Sequence, residues 1–508
     1  MTLLGIDIGT SGVKAAVFTE HGDQLAVASA AYNSLSSGKR TELVPDKLWN
    51  AVRDAVREVV REALRRDIRA ISISSHGETF IPVDRRGHAL CAFISNVDQT
   101  ANDEAFDLAN RVGKTRICSI TGLPIHGMYT VPKILWLRRN RPEIYREAAK
   151  FLCIEDYLFQ RIGVGAFISH SLASRTFGFD IRNRVWSDEI LRACNLNPGN
   201  FATPVPSGIP LGVAPIDVAD DFDLPRDAVW VSGGHDQACS SLGAGGLAGN
   251  VAVDGTGTFE CLTLSCTDVA QASMKAESGF PVEAHVSPQH YLTLAYVPGG
   301  IVPSWMLSRV LTYPSAADTE HPTFDSILPG IPKEPTGILV FPYLFGTGTP
   351  WFDSEAKGMI CGLTENTTAQ SLFQACLEGV SFEMRWNIEQ LKGCGESIQT
   401  IHAVGGGTRS RAWLQLKADI FGRSVISVKG ESSCAGAAIC AGMGINLFSS
   451  WSEASDAFVR PSETFSPRPA VSGEYQRCFN RYKELAGRIF NFHSRIPADG
   501  HPARRSHE

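Results

Sequence analysis

The chain has 508 residues, too many for one compact core, so two large domains of roughly 200–250 residues each are expected. Hydrophobic residues make up 44% and charged residues 20%, the balance of a folded protein and not of a disordered one. The 47 basic and 53 acidic side chains leave a net charge of −6 with no long basic stripe, which argues against nucleic acid as a partner but leaves room for a local anion site.

The N-terminus, "MTLLGIDIG", lacks a basic leader region and its apolar run is cut by Asp7, so it does not read as a signal peptide. An apolar strand runs into Asp7, then into a turn of Gly9, Thr10, Ser11 and Gly12, then into a second apolar strand that carries Lys14. Backbone N–H groups of such a turn point outward and can cradle phosphate oxygens. A strand-end acid would repel a phosphate unless a cation lay between them, so Asp7 reads as the holder of Mg²⁺ on a nucleotide phosphate tail. Residues 48–66 space Leu48, Val52, Val56, Val59 and Leu64 as an amphipathic helix, with Asp46 expected as its cap. The strand "IRAISISS" follows, and the cluster His76, Gly77 and Glu78 at its end suits hydrogen bonding to a polyhydroxy compound.

In "VWVSGGHDQACSSLGAGG" a strand, expected to end at Val231, leads through Ser-Gly-Gly to His235, Asp236 and Gln237 at the start of a small-residue helix. Asp236 at that helix start faces the positive end of the dipole; it reads either as a catalytic carboxylate or as a helix cap. The glycine-rich run 240–250 marks the domain boundary, giving domains of 1–246 and 247–493. Residues 250–264, "NVAVDGTGTFECLTL", repeat the opening pattern of strand, Asp, Gly/Thr turn and strand; the echo reads either as coincidence between two common glycine-rich hairpins or as two tips, one per domain, presented to one phosphate group. The strand "TIHAVGGG", the helix "SRAWLQLKADIFG" and the strand "SVISV" complete an α/β pattern whose function is expected at strand ends. In "AVGGGTRSRAWLQ" Ser410 stands where a dinucleotide fingerprint needs its third glycine. The tail 494–508 is polar, without periodicity, and expected to be mobile. The thirteen cysteines are scattered without a C-x-x-C pair and, with no run long enough to span a membrane, point to a reducing, cytoplasmic setting.

Taken together the fragments resemble the carbohydrate kinases of the FGGY family, from Leu3 to about Leu447 and in the family's order. They are "GIDIGTSGVKA", "ISISSHGETFIPVD", "TGLPIHGMYTVPKILWL", "CIEDYLFQRIG", "SLASRTFGFD", "SGGHDQACSSLGAG", "DGTGT", "FPYLFGTGTPWFDSEAKGMICGLT", "LEGVSFEMR", "AVGGGTRSRAWLQLKADIFG" and "GAAICAG". The resemblance implies two actin/hexokinase-like (ribonuclease H-like) domains flanking a catalytic cleft, the first binding sugar and the second nucleotide. It implies ATP and Mg²⁺, a small sugar or polyol as acceptor, no membrane partner, and leaves a homodimer open. By the same resemblance Asp236 is the general base, Asp7 and Asp236 serve the metal, and Thr10, Ser11 and Lys14 form the first phosphate loop. Gly255, Thr256 and Gly257 form the second, Gly300, Ser304, Gly407 and Arg411 contact adenosine, and His76, Gly77, Glu78, Asp98, Met128, Asp236, Gln237 and Phe259 face the acceptor.

Departures bear on the acceptor. Glycerol kinases carry arginine at the place of Gly77 and tyrosine at that of Met128, and xylulose kinases carry Met-His in place of Gly77-Glu78. "NVDQT" keeps Asp98 but has Asn96 and Thr100 where the family has Trp and Arg, and Lys14 takes a place often held by arginine. Gly77 is expected to leave an empty space beside Glu78, favouring an acceptor of four to six carbons, a pentulose or a polyol, over glycerol. A glycerol kinase, an actin- or Hsp70-like ATPase and a dinucleotide-dependent dehydrogenase remain as alternatives.

Overall fold

The computed structural model describes residues 1–32, 35–37, 40–64, 67–98, 100–311, 324–328, 330 and 332–490. The tail expected from residue 494 lies outside them. In the N-terminal half, β1 (Thr2–Ile8), β2 (Gly12–Thr19) and β3 (Gln24–Ala31) form an antiparallel meander, and α1 (Pro45–Glu62) carries the chain across to β4 (Ile68–Ser75), parallel to β1. With β5 (Pro210–Val213) and β6 (Val229–His235) they make a six-stranded sheet, β5-β6-β4-β1-β2-β3, in which β6 lies parallel to β4. β1 and β4 are rich in Leu and Ile and buried on both faces, as parallel central strands are. α1 buries Leu48, Val52, Val56 and Val59 on one stripe. Asp46 does not cap it: the helix begins at Pro45, whose fixed φ suits a first turn, and Asp46 sits inside that turn, 2.9 Å from Arg161.

β6 continues past Val231 to His235 before α2 (Asp236–Gly243) begins. It does so through a register shift between Val231 and Gly234, where a Cβ on Gly233 would lie 1.8 Å from the carbonyl oxygen of Ile73. The C-terminal half repeats the plan. β7 (Val251–Thr256), β8 (Phe259–Cys266), β9 (Val282–Ala284), β10 (Tyr291–Pro298), β11 (Thr400–Val404), β12 (Ser424–Val428) and β13 (Pro461–Phe465) pair in the order β9-β10-β8-β7-β11-β12-β13. Strands β10-β8-β7-β11-β12 reproduce β3-β2-β1-β4-β6, three antiparallel strands followed by two parallel ones. The repeated hairpin of the sequence thus occupies the same place in two sheets. The long α3 (Ala369–Gly393) and α4 (Arg411–Phe421) pack on each other in the second half.

Each parallel pair ends in a helix, β6 in α2 and β12 in α5 (Ser432–Gly444), and these two helices cross between the sheets. α5 lies on β1, β4 and β6, whereas α2 reaches β7 and β8. Backbones touch at the crossing: a Cβ on Gly436 would fall 2.0 Å from the Cys239 carbonyl oxygen, and one on Gly243 would fall 2.2 Å from that of Ser432. Leu3, Phe18, Leu242, Leu294, Ile439 and Phe458 share an apolar cluster drawn from both halves.

Gly436→Ala is expected to force α2 and α5 apart and to cost about 3 kcal/mol, the upper end for an overpacked core, read by denaturant unfolding; an unchanged midpoint would refute the close crossing. A second test concerns Glu383 on α3, buried and accepting hydrogen bonds from the hydroxyls of Tyr343 at 2.6 Å and Tyr482 at 2.5 Å. Burial pushes this carboxyl up to about 7. Because the folded value lies above the ordinary one, the folded state keeps a proton that the unfolded chain releases. The contribution is therefore complete in acid and is lost as pH rises toward 7, by up to about 3 kcal/mol. Glu383→Gln is expected to flatten that loss in unfolding measured between about pH 5 and 7.

Candidate active site

The C-terminal ends of β1, β4 and β6 lie side by side, where α/β sheets place their ligands. Asp7 occupies the second-last position of β1, directly opposite Lys14 on β2 and beside Ser74 on β4. The Ser74 hydroxyl donates to Asp7 Oδ1 at 2.7 Å. Burial, with Asp236 adding to it, pushes the Asp7 carboxyl up to about 7, so the site favours a cation or a proton there. Thr10 and Ser11 are exposed at the hairpin tip, which Tyr32 braces through its N–H to the Ser11 carbonyl at 3.1 Å and its hydroxyl to that of Gly9. Lys14 is about half exposed and donates to Glu431, immediately before α5, at 2.7 Å.

Asp236 is the first residue of α2; His235 holds the capping position, and no side-chain capping bond is made there. The His235 ring joins two acids, with Nδ1 2.7 Å from Glu283 Oε1 and Nε2 3.2 Å from Asp236 Oδ1. Burial disfavours a charged imidazole, yet Glu283 and Asp236 outweigh it and raise His235 above its ordinary value. Glu283 in turn lies 3.5 Å from Arg175 Nη1, and Arg175 Nε donates to Glu78 Oε1 at 2.6 Å. Burial alone would raise Glu78, but Arg175 and His235 hold it below the usual range. A line of alternating charge, buried from Glu78 to His235 and opening at Asp236, therefore runs Glu78–Arg175–Glu283–His235–Asp236.

Glu78 is held in a left-handed backbone conformation, φ 63°, an uncommon state for a non-glycine residue that clusters at functional sites. Its carbonyl accepts from Thr130 Oγ1 and from Lys133 Nζ, each at 3.0 Å, and Lys133 also donates to the Ser95 carbonyl at 2.8 Å. Both ring nitrogens of His76 are engaged by protein, Nδ1 with the Ile8 carbonyl and Nε2 with Thr79 Oγ1, each at 3.0 Å. The Asp98 carboxylate likewise accepts from the N–H groups of Thr41 and Thr100 at 3.2 and 2.9 Å. Met128 is half-buried against the N-terminal core, and Phe259, just beyond the second tip, is 43% exposed. The expected empty space beside Glu78 is not there. A Cβ on Gly77 would lie 2.9 Å from Arg175 Cγ and 3.3 Å from the His235 ring, because Arg175 fills that volume from a distant segment.

The second tip gathers Gly255, Thr256 and Gly257 with two glycine turns. Thr256 Oγ1 donates to the Val404 carbonyl at 2.6 Å, and a Cβ on Gly407 would lie 2.8 Å from Thr256 Cβ. Gly300 N–H donates to the Gly257 carbonyl at 2.9 Å, and Ser304 lies exposed one turn further on. Half-buried Gln237 of α2 faces Gly255 across the halves, within 3.9 Å of where its Cβ would be. Arg411 stands at the start of α4, exposed and paired with Glu463 on β13. Asp254 does not repeat the role open to Asp7: Lys417 of α4 lies 2.6 Å from it and 2.8 Å from Glu260, all three fully buried.

Among the described residues no three His, Cys, Asp or Glu side chains gather as a metal cage. Asp7, half-buried and raised, with Asp236 close enough to raise it further, is instead the sparse carboxylate set that suits Mg²⁺, which keeps waters and phosphate oxygens as its other ligands. Arg175 and Glu283 were not singled out from the sequence, and His235 was named there without a role of its own. The available signal was isolation: Arg175 is the one charged residue, histidine aside, between Val164 and Phe179, and Glu283 between Ser278 and Gly300.

Comparison with known proteins bears on the fold and the family. Residues 2–243 match the N-terminal domain, and residues 251–445 the C-terminal domain, of the FGGY family of carbohydrate kinases. The chain is 26% identical over 487 residues to the xylulose kinase of Staphylococcus xylosus, spanning 95% of this chain and 99% of that protein. It is 28% identical over 447 residues to the gluconokinase of Bacillus subtilis (strain 168), spanning 86% of each. Its fold matches ligand-bound xylulose kinase from Lactobacillus acidophilus with a TM-score of 0.87 at 22% identity, over 96% of this chain and 98% of that one. With both family domains in tandem on its two actin/hexokinase-like halves, the chain belongs to the FGGY family of carbohydrate kinases, the ATP-dependent phosphotransferases of sugars and polyols.

Proposed function

We propose that Asp236 takes the proton from an acceptor hydroxyl as that oxygen attacks the γ-phosphorus of ATP, the triphosphate being held end-on between the two hairpin tips. The observation that carries this reading is the position of Asp236, at the start of α2, opposite Asp7 of the first tip and one residue from Gln237, which faces the second. In-line phosphoryl transfer needs alignment and charge neutralisation more than covalent help. Thr10, Ser11 and Lys14 supply donors on one side, and Gly255, Thr256 and Gly257 on the other. Asp7, with Asp236, would hold Mg²⁺, which when bound neutralises phosphate charge. Lys14 exchanges Glu431 for phosphate as the nucleotide enters. Gly300, Ser304, Gly407 and Arg411 border the adenosine end.

Glu78, Gln237, Met128 and Phe259 face the acceptor, while His76 and Asp98, whose polar atoms are taken by protein, shape the loops that carry Glu78 and Thr100. With Arg175 in the volume beside Gly77, the size of the acceptor is argued from the relatives named xylulose kinase and gluconokinase, which favour five or six carbons and, with the shorter polyols, a range of four to six. The free state of all thirteen cysteines fits a reducing cytoplasmic setting.

Asp236→Asn is expected to keep ATP binding, followed by calorimetry, while lowering kcat by about 10²–10⁴-fold; a loss below about tenfold removes Asp236 from the role of base. Across glycerol, erythritol, xylitol, xylulose and ribulose, kcat/KM is expected to peak above three carbons, and a glycerol optimum overturns the larger acceptor.

A further inference from the structure

Gly255 of the second tip has neighbours across the sheet that phosphate binding does not use. It pairs with Cys261 on β8, and Cys261 pairs in turn with Tyr296 on β10. Residues directly opposite in adjacent antiparallel strands point to the same face, so the three form one row. Strands lie about 4.8 Å apart, which puts Tyr296 about 10 Å from the tip. The face is that of the cleft, because Gln237 of α2, next to Asp236, lies against Gly255. Burial raises the Tyr296 hydroxyl, Arg175 lowers it and Glu78 raises it, so both of these charges lie within its reach. The row therefore leads from the phosphate end toward Glu78.

A loop from the same half holds Tyr296 in place. Thr349 N–H donates to the Tyr296 carbonyl at 2.9 Å, and Tyr296 N–H donates to Thr349 Oγ1 at 2.8 Å. Three residues on, the Phe352 ring centre lies 5.6 Å from that of Tyr296 and 5.3 Å from that of His126. Phe352 adopts φ 48°, a left-handed conformation uncommon for a bulky residue and one that collects at functional sites. His126 comes from the N-terminal half, and its Nδ1 accepts from Met128 N–H at 3.1 Å. Burial pushes this imidazole down to about 4, with Glu78 acting against it, so the ring is neutral and carries its proton on Nε2. Neither that N–H nor the Tyr296 hydroxyl bonds to a described residue, and neither is sealed from solvent. All three rings are half-buried.

Resting on the kinase reading above, we infer that His126, Phe352 and Tyr296 form the specificity wall that receives the end of the acceptor remote from the transferred phosphate. Phe352 covers the carbon chain, His126 Nε2–H donates to the remote hydroxyl, and the Tyr296 hydroxyl donates to it or accepts from it. The wall draws on both halves, so an acceptor that reaches it also bridges them across the cleft.

The test is phosphorylation by the full-length protein, with ATP and Mg²⁺, of xylulose, ribulose, erythritol and xylitol, each paired with its forms deoxygenated at either end. For the best acceptor, the better of its two deoxy forms keeps the reacting hydroxyl and lacks the remote one. Its kcat/KM is expected to fall at least about tenfold below that of the parent. Tyr296→Phe and His126→Phe keep a ring against Phe352 and remove the polar group. Each is expected to narrow that ratio at least about threefold, by raising KM for the parent with kcat and the KM for ATP unchanged. A smaller fall in the wild type overturns the inference and leaves the kinase reading standing, as does a protein active on glycerol alone, whose chain is too short to have such an end. Folded variants with an unaltered ratio also overturn it, and if neither variant folds the wild-type ratio decides. ADP release with no acceptor phosphorylated removes the kinase reading and this inference together.

Discussion

Cys239 and Gly436 meet backbone to backbone where α2 crosses α5, and the placement of the whole site follows from that contact. α2 begins at Asp236 and α5 follows directly on Glu431, the partner of Lys14. Each helix leaves the sheet of one half and packs on the sheet of the other, so their separation sets how far one hairpin tip stands from its counterpart. Small residues make this possible: with no Cβ at Gly436 or Gly243 the helix axes approach to the limit set by main-chain atoms. A crossing made of larger side chains would hold the tips further apart and leave Asp236 away from Asp7.

Two copies of one hairpin have reached different electrostatic ends. In both, a strand ends in an acid followed by a turn of small and hydroxyl residues. Asp7 receives only a serine hydroxyl from β4, faces Asp236, and sees its nearest lysine drawn to Glu431. Asp254 receives Lys417 from α4, and the same ammonium serves Glu260 on the returning strand. Burial raises Glu260, with Asp254 adding to it, so Glu260 favours its proton, while the acids outweigh burial and keep Lys417 charged beside Asp254. One tip is thereby left in need of a cation and the other is served by a lysine from within, an asymmetry that suits the metal and triphosphate proposed for the space between the two loops.

Arg175 shows how a local vacancy in sequence can be closed from far away. Gly77 read by itself is missing bulk, but the chain returns nearly a hundred residues later and lays a guanidinium over that position, bonded to the neighbouring Glu78. The space and the charge are both supplied, by a residue on a different element. That single side chain also reaches Glu283, and through it His235 and Asp236, so the residues proposed for the acceptor and for the base belong to one network.

The amino-acid sequence by itself determined the α/β class, the doubled hairpin, the strand end at Asp7, the loop with Glu78, the helix start at Asp236, and the family. All of these rest on short runs, in which periodicity, glycine turns and chain order act between near neighbours. Asp46 and the end of β6 were misread locally, because Pro45 took the helix start and a bulge at Gly233 let the strand run on. Only the tertiary structure decided that Arg175 fills the place beside Gly77, that Lys417 neutralises Asp254, and that Glu283 holds His235. Those pairings join residues some 50 to 160 positions apart, and a charge finds its partner through the folded distance between two elements, a quantity that the order of residues along the chain does not contain.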